Sequence, residues 1–385
     1  MRKTAPEHWR DANLLEIAPI NSSLVDPRKD EFKEMILIAP DHIESGSGRI
    51  IGEVTAADQG SISGKYLAKK NSVIYSKIRP YLRKAAIARR NVLCSADMYP
   101  LECTDQIIPE YLLSILLSDR FTLFANSCSN RTGIPKINRD ELSQFKLVLP
   151  SLPEQAVIAS LHSTWDYAIE KTERLIVAKE KQFTSLIKSM ITNKCDHWGH
   201  LRADKIFKSI SEKQNDHEEL LSVTQDRGVI PRTMLEGRVM SPESGTGTYK
   251  LIKVGDFAIS LRSFQGGIEY SRYQGLVSPA YTVLRPKLEI DADFYRLFFK
   301  SYLFIEKYLS IAVIGIRDGK QISIPDFMTV KIPFPPIDQQ KQIAAILTTA
   351  RQEIDLLKKQ AEAYRKQKRG LMQRLLTGEW RVQVG

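Results

Sequence analysis

The sequence predicts an α+β protein in which two pseudo-repeated mixed α/β domains are separated by two long helices. Three observations lead to this fold class. The chain repeats itself at an offset of 185 positions, as between Gln155 and Gln340. Each repeat ends in a stretch with alternating three- and four-residue apolar spacing, which is typical of helices that pair. The remaining segments are short apolar runs separated by Gly, Pro, Asn and Ser, which indicate strands and loops.

Composition sets the outer limits on this fold. The 385 residues suffice for two or three domains, and a hydrophobic content of 43% predicts a folded core. No apolar run approaches the roughly 18–20 residues of a membrane span, and the first residues lack the apolar segment of a signal peptide. The four cysteines form no CxxC pair, so neither a zinc site nor a disulfide framework is expected. We therefore expect a cytoplasmic protein with no membrane partner.

The repeat is clearest where a proline-rich segment meets a helix. "LVLPSLPEQAVIASL" (147–161) corresponds to "IPFPPIDQQKQIAAI" (332–346), and "SLIKSMIT" to "GLMQRLLT". Proline can end an extended segment before a helix without breaking that helix. Agreement is looser upstream, where Trp9 matches Trp198 at an offset of 189. The chain therefore consists of two copies of one unit.

Apolar residues recur in the same register along both predicted helices, each about 55–60 Å long. Helices of that length are poorly covered by a small domain, so the simplest arrangement pairs the two seams within one chain. Packing of each helix on its neighbouring domain, or pairing with another protein, are the alternatives. The predicted seam consists of Ile158, Trp165, Ile169, Ile176, Phe183, Leu186, Met190, Ile343, Leu347, Ile354, Leu357, Leu371 and Leu375.

The globular part of each copy contains one predicted helix, over 108–126 in the first and 291–310 in the second. Their aromatic and leucine faces are typical of a core. The predicted domain limits are 1–150 and 196–335 for the globular domains, and 151–195 and 336–385 for the helical segments that follow them.

This layout resembles the specificity subunit of type I restriction-modification enzymes. The segments that carry the resemblance are "LPSLPEQAVIASL", "FPPIDQQKQIAAIL", "KRGLMQRLLTGEWRV" and "NSVIYSKIRPYLRKAAIA". The resemblance implies two target-recognition domains, spaced by an antiparallel coiled coil, that read a bipartite asymmetric site in double-stranded DNA. It implies two methyltransferase subunits that methylate adenine, and translocase-nuclease subunits that restrict unmodified DNA. S-adenosylmethionine would belong to the methyltransferase partner, ATP and Mg²⁺ to the restriction partner, and no cofactor to this chain.

The residues themselves agree with a DNA partner. A net charge of +11 and a pI near 9.3 favour a polyanion. Cationic, amide and aromatic side chains on glycine-containing loops suit readout of a DNA groove. The candidate DNA-binding residues are Lys77, Arg79, Tyr81, Arg83, Lys84, Asn130, Arg131 and Lys136 in the first domain, and Arg262, Gln265, Arg272, Tyr273, Arg317, Lys320 and Gln321 in the second.

Motifs that would make the chain an enzyme are incomplete. "PFPPID" lacks the Asn or Asp that precedes the paired prolines of an adenine methyltransferase. "GSISGKY" (60–66) has three residues where a P-loop needs four. Asp41 and Glu44 lack the accompanying lysine of a two-metal nuclease. We therefore expect a non-catalytic subunit with no metal site. The rival interpretations are a coiled-coil scaffold with protein-binding domains and a fused nuclease or methyltransferase.

Overall fold

The computed structural model of the protein describes residues 6, 8–129, 133–215, 217–235, 246–260, 267–314 and 321–384. The chain divides into two compact units. Unit 1 comprises Met1–Arg174 and Lys358–Gly385, and unit 2 comprises Leu175–Leu357. Each unit therefore holds one globular part together with a portion of both long helices.

Unit 1 contains three sheets in its described part. Arg10–Asn13 pairs antiparallel with Lys146–Leu149, the strand that leads into the first long helix. The second sheet has the strand order Leu24–Val25, Lys65–Ala68, Val92–Cys94, Ile36–Ile38, Val54–Thr55, with the third and fourth strands parallel. The third is antiparallel, in the order Ala85–Ile87, Val73–Ser76, Met98–Leu101. Its helices outside the long ones are Leu14–Ile17, Asp30–Lys33, Pro109–Leu116, Asp119–Cys128 and Arg139–Ser143, with 3-10 turns at Pro40–His42 and Pro80–Leu82.

Unit 2 is built around an antiparallel four-stranded sheet in its described part. The strand order is Phe207–Ile210, Tyr281–Pro286, Phe257–Ser260, Glu269–Tyr270. Four strand pairs accompany it: His200–Arg202 with Lys331–Pro333, Leu221–Thr224 with Gly228–Pro231, Lys250–Ile252 with Gly275–Val277, and Val313–Ile314 with Gln321–Ile322. Its shorter helices and helical turns are Lys188–Thr192, Cys195–His197, Ala203–Ile206, Arg232–Met234, Thr246–Thr248, Ala292–Phe299, Phe304–Tyr308, Leu309–Ala312 and Ile324–Thr329.

The two long helices run over Leu152–Ile187 and Ile337–Leu376. At 1.5 Å per residue they are about 54 and 60 Å long, as the periodicity predicts. The first ends eight residues before position 195, because the chain widens into a π-turn at Lys188–Thr192. In unit 1 the first helix buries Ile158 in the core together with Met372 and Leu375 of the second helix. In unit 2 the core includes Ile191, Ile343 and Leu347.

The repeated glutamines explain why the proline-to-helix junction occurs twice. Gln155 and Gln340 are both completely buried. Gln155 Nε2 donates to the carbonyls of Pro150 and Gln106, and its Oε1 accepts from the backbone N–H of Ile108. Gln340 Nε2 donates to Pro335 O, and its Oε1 accepts from Asp291 N–H. Each glutamine thus ties the start of a long helix to the residue that precedes a core helix of the same unit.

The looser tryptophan match is part of the same joint. Trp9 Nε1 donates to Glu154 Oε1 at 3.4 Å, and Trp198 Nε1 donates to Gln339 Oε1 at 3.1 Å. The acceptor is in each case the residue before the buried glutamine. The drift in offset from 185 to 189 therefore leaves the contact between the first strand region and the helix intact.

Both predicted core helices are shorter than the sequence indicates. The segment 108–126 forms two helices, Pro109–Leu116 and Asp119–Cys128, because the Ser118 side chain caps the second helix by accepting from Phe121 N–H. The segment 291–310 forms an α-helix over Ala292–Phe299, is interrupted at Ser301 and continues mainly as π and 3-10 turns. There Ser301 Oγ accepts from Phe304 N–H. A serine that offers the backbone an alternative acceptor interrupts the helix in both copies.

Candidate nucleic-acid interface

The loop over positions 77–84, which carries five of the candidate DNA-binding residues, follows the strand Val73–Ser76 and has a strained backbone. Arg79 and Arg83 flank the 3-10 turn Pro80–Leu82, and both have a φ of 49° in the left-handed region. A non-glycine residue there costs on the order of 1 kcal/mol and persists only where the surroundings enforce it. Arg79 and Tyr81 lie at this turn, and both are exposed.

The segment that contains the candidate Lys136 lies beside the 77–84 loop. Arg79 N–H donates to Pro135 O at 2.7 Å, and Ile137 N–H donates to Lys77 O at 2.9 Å. Ile78 and Lys136 form a β-bridge between these two bonds. Lys77, Arg79 and Lys136 therefore lie on one ledge, although about 60 residues separate them in the chain. Asn130 and Arg131 lie outside the described residues.

Arg83 and Lys84 turn toward protein rather than outward. Arg83 forms an ion pair with Asp119 at 2.6 Å, and Lys84 Nζ donates to Pro40 O at 2.5 Å. Together with Tyr81 they line a cleft of about 870 Å³ in unit 1. DNA contact by Arg83 and Lys84 stays a prediction, and any such contact would compete with these internal partners.

Three candidates of unit 2 fall within its described part. Arg272 is exposed and forms an ion pair with Asp293 at 3.3 Å. Tyr273 is 37% exposed, and Gln321 is exposed at the first position of the strand Gln321–Ile322. Arg262, Gln265, Arg317 and Lys320 lie outside the described residues. The structure therefore describes a smaller share of the candidate DNA-binding residues in unit 2 than in unit 1.

One cation beside the predicted residue Lys77, Arg139, was missed by sequence reasoning. Arg139 begins the short helix Arg139–Ser143 and lies over the ring of Tyr99, with its Cζ 5.8 Å from the ring centroid. Lys77 Nζ lies 5.3 Å from the same centroid. Arg139 also donates to Tyr66 OH and Ser22 Oγ. The only available signal was the Asn138–Glu141 capping box, which places Arg139 at a helix start but does not indicate its neighbours.

The predicted seam residues can be placed within each unit. In unit 1, Trp165 meets Tyr364 edge to face at 5.7 Å, and Ile169 is 9% exposed. In unit 2, Ile354 is 1% exposed, and Arg351 lies over the ring of Phe183. Ile158, Ile343, Leu347 and Leu375 are also buried, whereas Ile176, Leu186, Leu357, Leu371 and Met190, the last of them in the π-turn, are half-buried or more exposed.

Ion pairs join the two long helices inside each unit. In unit 1, Asp166 pairs with Lys368 and Glu173 pairs with Arg365, both at 2.5 Å. In unit 2, Lys179 pairs with Glu353 at 2.8 Å. Within unit 1, the position on the second helix falls from 368 to 365 as the position on the first helix rises from 166 to 173. The first helix supplies the acidic partner in both of these pairs of unit 1 and the basic partner in the pair of unit 2.

A buried polar network connects a core helix of unit 1 to both long helices. His162 Nδ1 contacts Ser114 Oγ, and His162 Nε2 lies 3.5 Å from Asp166 Oδ2, which in turn pairs with Lys368. Burial, together with the Lys368 charge, lowers the pKa of His162 to about 3. Burial raises the pKa of Asp166 and lowers that of Lys368. The imidazole is therefore neutral at physiological pH. Ser114 Oγ also donates to the Glu110 carbonyl, as a helical serine does.

No cluster of three or more His, Cys, Asp or Glu side chains able to hold a metal ion occurs among the described residues. Burial raises the pKa of the Cys94 and Cys103 thiols to about 12, so both are poor metal ligands and nucleophiles. Within the described ranges, no helix is both long and apolar enough to cross a bilayer.

Comparisons with known proteins agree with the fold. The sequence model of a family described as "Type I restriction modification DNA specificity domain" matches residues 6–179 and 232–363. The chain is 36% identical over 185 residues to the Type I restriction enzyme EcoDI specificity subunit of Escherichia coli, an alignment covering 47% of this chain and 41% of that protein. It is 25% identical over 326 residues to the MjaVIII specificity subunit of Methanocaldococcus jannaschii, covering 77% of this chain and 76% of that protein.

Solved structures show the same fold at low sequence identity. The HsdS subunit from Thermoanaerobacter tengcongensis aligns over 98% of both chains with a TM-score of 0.52 and 18% identity. A chain from a study of complex assembly and conformational transition of the type I R-M system aligns over 98% of this chain and 100% of its own, with a TM-score of 0.61 and 16% identity. The first curated relative is matched over less than half of its length, whereas these structures are matched almost completely.

Proposed function

Because the chain belongs to the type I restriction-modification DNA specificity family, we propose that it is the DNA-reading subunit of such a complex. Each globular domain, 1–150 and 196–335, would read one half of a bipartite asymmetric site in double-stranded DNA. The observation that carries this proposal is the match of the family model to two separate regions of the chain, one in each copy of the repeat. Two unlike half-sites require two different readers, which is why the loops of the copies diverge while their joints agree.

The long helices would act as the spacer between the readers, paired as an antiparallel coiled coil over 151–195 and 336–385. Support comes from the cross-helix pairs inside each unit, Trp165 with Tyr364 in unit 1 and Lys179 with Glu353 in unit 2. A rigid spacer holds the half-sites about one DNA turn apart, roughly 10 base pairs between centres. Phosphate contacts would position each reader, and base-edge contacts would specify the sequence.

The chemistry would be done by partner subunits. Two methyltransferase subunits, which carry S-adenosylmethionine, would dock on the two copies of the repeated scaffold and methylate adenine. Translocase-nuclease subunits, which use ATP and Mg²⁺, would restrict unmodified DNA. Acting on the host chromosome, the complex works in the cytoplasm. The specificity chain is the non-catalytic member, in line with its incomplete methyltransferase and P-loop motifs.

Methylation mapping of the host genome, with and without this gene, tests the proposal. We expect adenine methylation at one bipartite, gapped motif to disappear when the gene is deleted and to return when it is restored. A methylome that does not change, in a host whose methyltransferase partner is expressed, would contradict the proposed function.

The spacer is tested by charge insertion at buried positions of both helices. Ile169→Asp with Ile354→Asp places carboxylates at positions that are 9% and 1% exposed, where an unpaired charge is strongly unfavourable. Tyr167→Asp with Leu356→Asp is the matched control, because these neighbours are 61% and 65% exposed. We expect the first pair to abolish methylation of the bipartite motif and the control pair to retain it. Equal methylation by the complexes with the buried-position variant and the control variant would refute the proposed spacer role of the long helices.

A further inference from the structure

Tyr99 is a buried aromatic residue whose ring is contacted by two cations, Lys77 and Arg139. Its ring is 5% exposed and lies on the strand Met98–Leu101, opposite Tyr75 of the neighbouring strand. Lys77 and Arg139 both lie within 6 Å of its ring centroid, the range in which a cation is attracted by the face of an aromatic ring. Burial raises the pKa of the Tyr99 hydroxyl, and the Arg139 charge opposes that rise.

The described partners of the two cations are neutral. A guanidinium has five N–H donors, and Arg139 donates to Ser22 Oγ at 2.7 Å, to Tyr66 OH at 3.3 Å and to the Tyr99 hydroxyl. All three acceptors are uncharged. Lys77 Nζ has no hydrogen-bond partner among the described residues. No carboxylate in the described ranges forms an ion pair with either side chain. The nearby Glu141 carboxylate accepts from Asn138 N–H in the helix cap.

Two other cations are exposed in the chain segments next to Lys77. Lys136 and Arg79 are exposed on the ledge that Lys77 shares, and neither has an ion-pair partner within the part of the chain that the structure describes. This differs from other arginines of unit 1, since Arg83 pairs with Asp119 and Arg90 pairs with Glu53. A concentration of unpaired positive charge costs electrostatic energy in the free protein and is relieved by an anion.

From this arrangement we infer that Arg139 and Lys77, seated on Tyr99, form a contact for a backbone phosphate of the DNA read by unit 1. A phosphodiester offers two charged oxygen acceptors to donors that Tyr99, Tyr66 and Ser22 already hold in place, so little side-chain freedom is lost on binding. Because these neutral neighbours orient Arg139 without neutralising it, the contact positions the reader and does not specify bases. The inference rests on the proposed function and assigns Arg139 to that site.

The test measures DNA affinity as a function of salt for the full chain in complex with its methyltransferase partners. Fluorescence anisotropy would use a duplex carrying the methylated motif of the host and a duplex of scrambled sequence. Arg139→Gln should weaken binding to both duplexes by a similar factor, about tenfold at low salt. It should also reduce the slope of log K against log salt by about 0.9, the value for one phosphate that the protein no longer neutralises.

Two further variants separate this contact from a general charge effect. Arg90→Gln makes the same change in net charge at an exposed arginine paired with Glu53 and should leave the slope within error of the wild type. Arg139→Lys keeps the charge and removes the planar fork, so it should retain the slope while binding more weakly than the wild type. Thermal unfolding of each variant identifies any that fail to fold.

The outcomes distinguish the inference from the function on which it rests. A wild-type complex that shows no preference for the motif would overturn the proposed function, whatever Arg139 does. A wild-type preference with an unchanged salt slope in Arg139→Gln would overturn the inference alone. Weaker binding confined to the motif duplex would make Arg139 a base reader instead of a phosphate contact. Calorimetry with inorganic phosphate tests whether the site binds free phosphate instead of a DNA phosphate. Millimolar phosphate binding that disappears in Arg139→Gln, together with an unchanged DNA affinity, would show an anion site unrelated to DNA and would overturn the inference.

Discussion

The buried glutamines at the two proline-to-helix junctions allow a matched pair of stability experiments. Gln155 makes three hydrogen bonds to backbone groups of unit 1, and Gln340 makes two to backbone groups of unit 2. Leucine has a similar volume but cannot make any of these bonds. Removing each bond costs about 1 kcal/mol net, and a buried backbone group left without a partner costs about 1–3 kcal/mol. We therefore expect the free energy of unfolding to fall by at least about 3 kcal/mol in Gln155→Leu and by at least about 2 kcal/mol in Gln340→Leu.

The assay is urea unfolding, combined with hydrogen exchange resolved by peptide. Exchange should accelerate at the Ile108 amide in Gln155→Leu and at the Asp291 amide in Gln340→Leu, because each amide loses its acceptor. Gln339→Leu is the control. This neighbouring glutamine is exposed and, among the described residues, accepts only from Trp198, so its replacement should change the stability by no more than about 0.5 kcal/mol.

A charge variant sharpens the same test. In Gln155→Glu the carboxylate faces the carbonyl oxygens of Pro150 and Gln106, which now receive a like partial charge in place of an N–H donor. We expect Gln155→Glu to be less stable than Gln155→Leu at pH 7. If both leucine variants unfold at the same urea concentration as Gln339→Leu, the glutamines do not hold the joints and this reasoning is refuted.

Three further predictions concern single groups. The pKa of His162 is lowered to about 3 by burial, so the unfolded chain takes up a proton as pH falls below about 6.5 while the folded chain does not. The free energy of unfolding of unit 1 should therefore fall by about 2 kcal/mol between pH 7.5 and pH 5. Urea titrations should show that His162→Leu removes this pH dependence, whereas His217→Gln, at an exposed position, keeps it. Burial raises the pKa of Glu269 to about 7 despite its contact with Lys300, so unit 2 should be more stable at pH 5.5 than at pH 8 by about 2 kcal/mol; an unchanged difference in Glu269→Gln would contradict this. Arg79→Gly relieves a left-handed backbone and should keep or raise the melting temperature while weakening DNA binding in the anisotropy assay; a variant that is less stable than the wild type would show that the Arg79 side chain has a structural role.

Much of the fold could be predicted from local pattern. The spacing of Ile158, Ile169, Ile343 and Ile354 marks two long helices, because a helix repeats every 3.6 residues wherever it packs. The match of Gln155 to Gln340 indicates two equivalent joints. The breaks at Ser118 and Ser301 were missed, since a serine interrupts a helix only where its hydroxyl finds a backbone N–H to cap. Apolar periodicity continues across both breaks.

The candidate interface was predictable only in part. Cations on glycine-containing loops indicate a polyanion partner, and Lys77, Arg79 and Lys136 do share one ledge of unit 1. The pattern could not separate them from Arg83 and Lys84, which have internal partners. Whether a cation is paired depends on which acidic group or carbonyl the fold brings to it, and this is a long-range property.

The sequence alone determined the two-copy organisation, the long helices, the basic charge and the family resemblance, because each of these is carried by spacing or composition within a segment. Only the tertiary structure decided what the repeated glutamines bind and which cations remain unpaired. It also showed that Tyr99 lies beneath both Lys77 and Arg139. These residues are 22 and 40 positions from Tyr99 in the chain, and strand pairing and loop packing bring them together. Contacts of that kind depend on the whole chain having folded, and no local pattern records them.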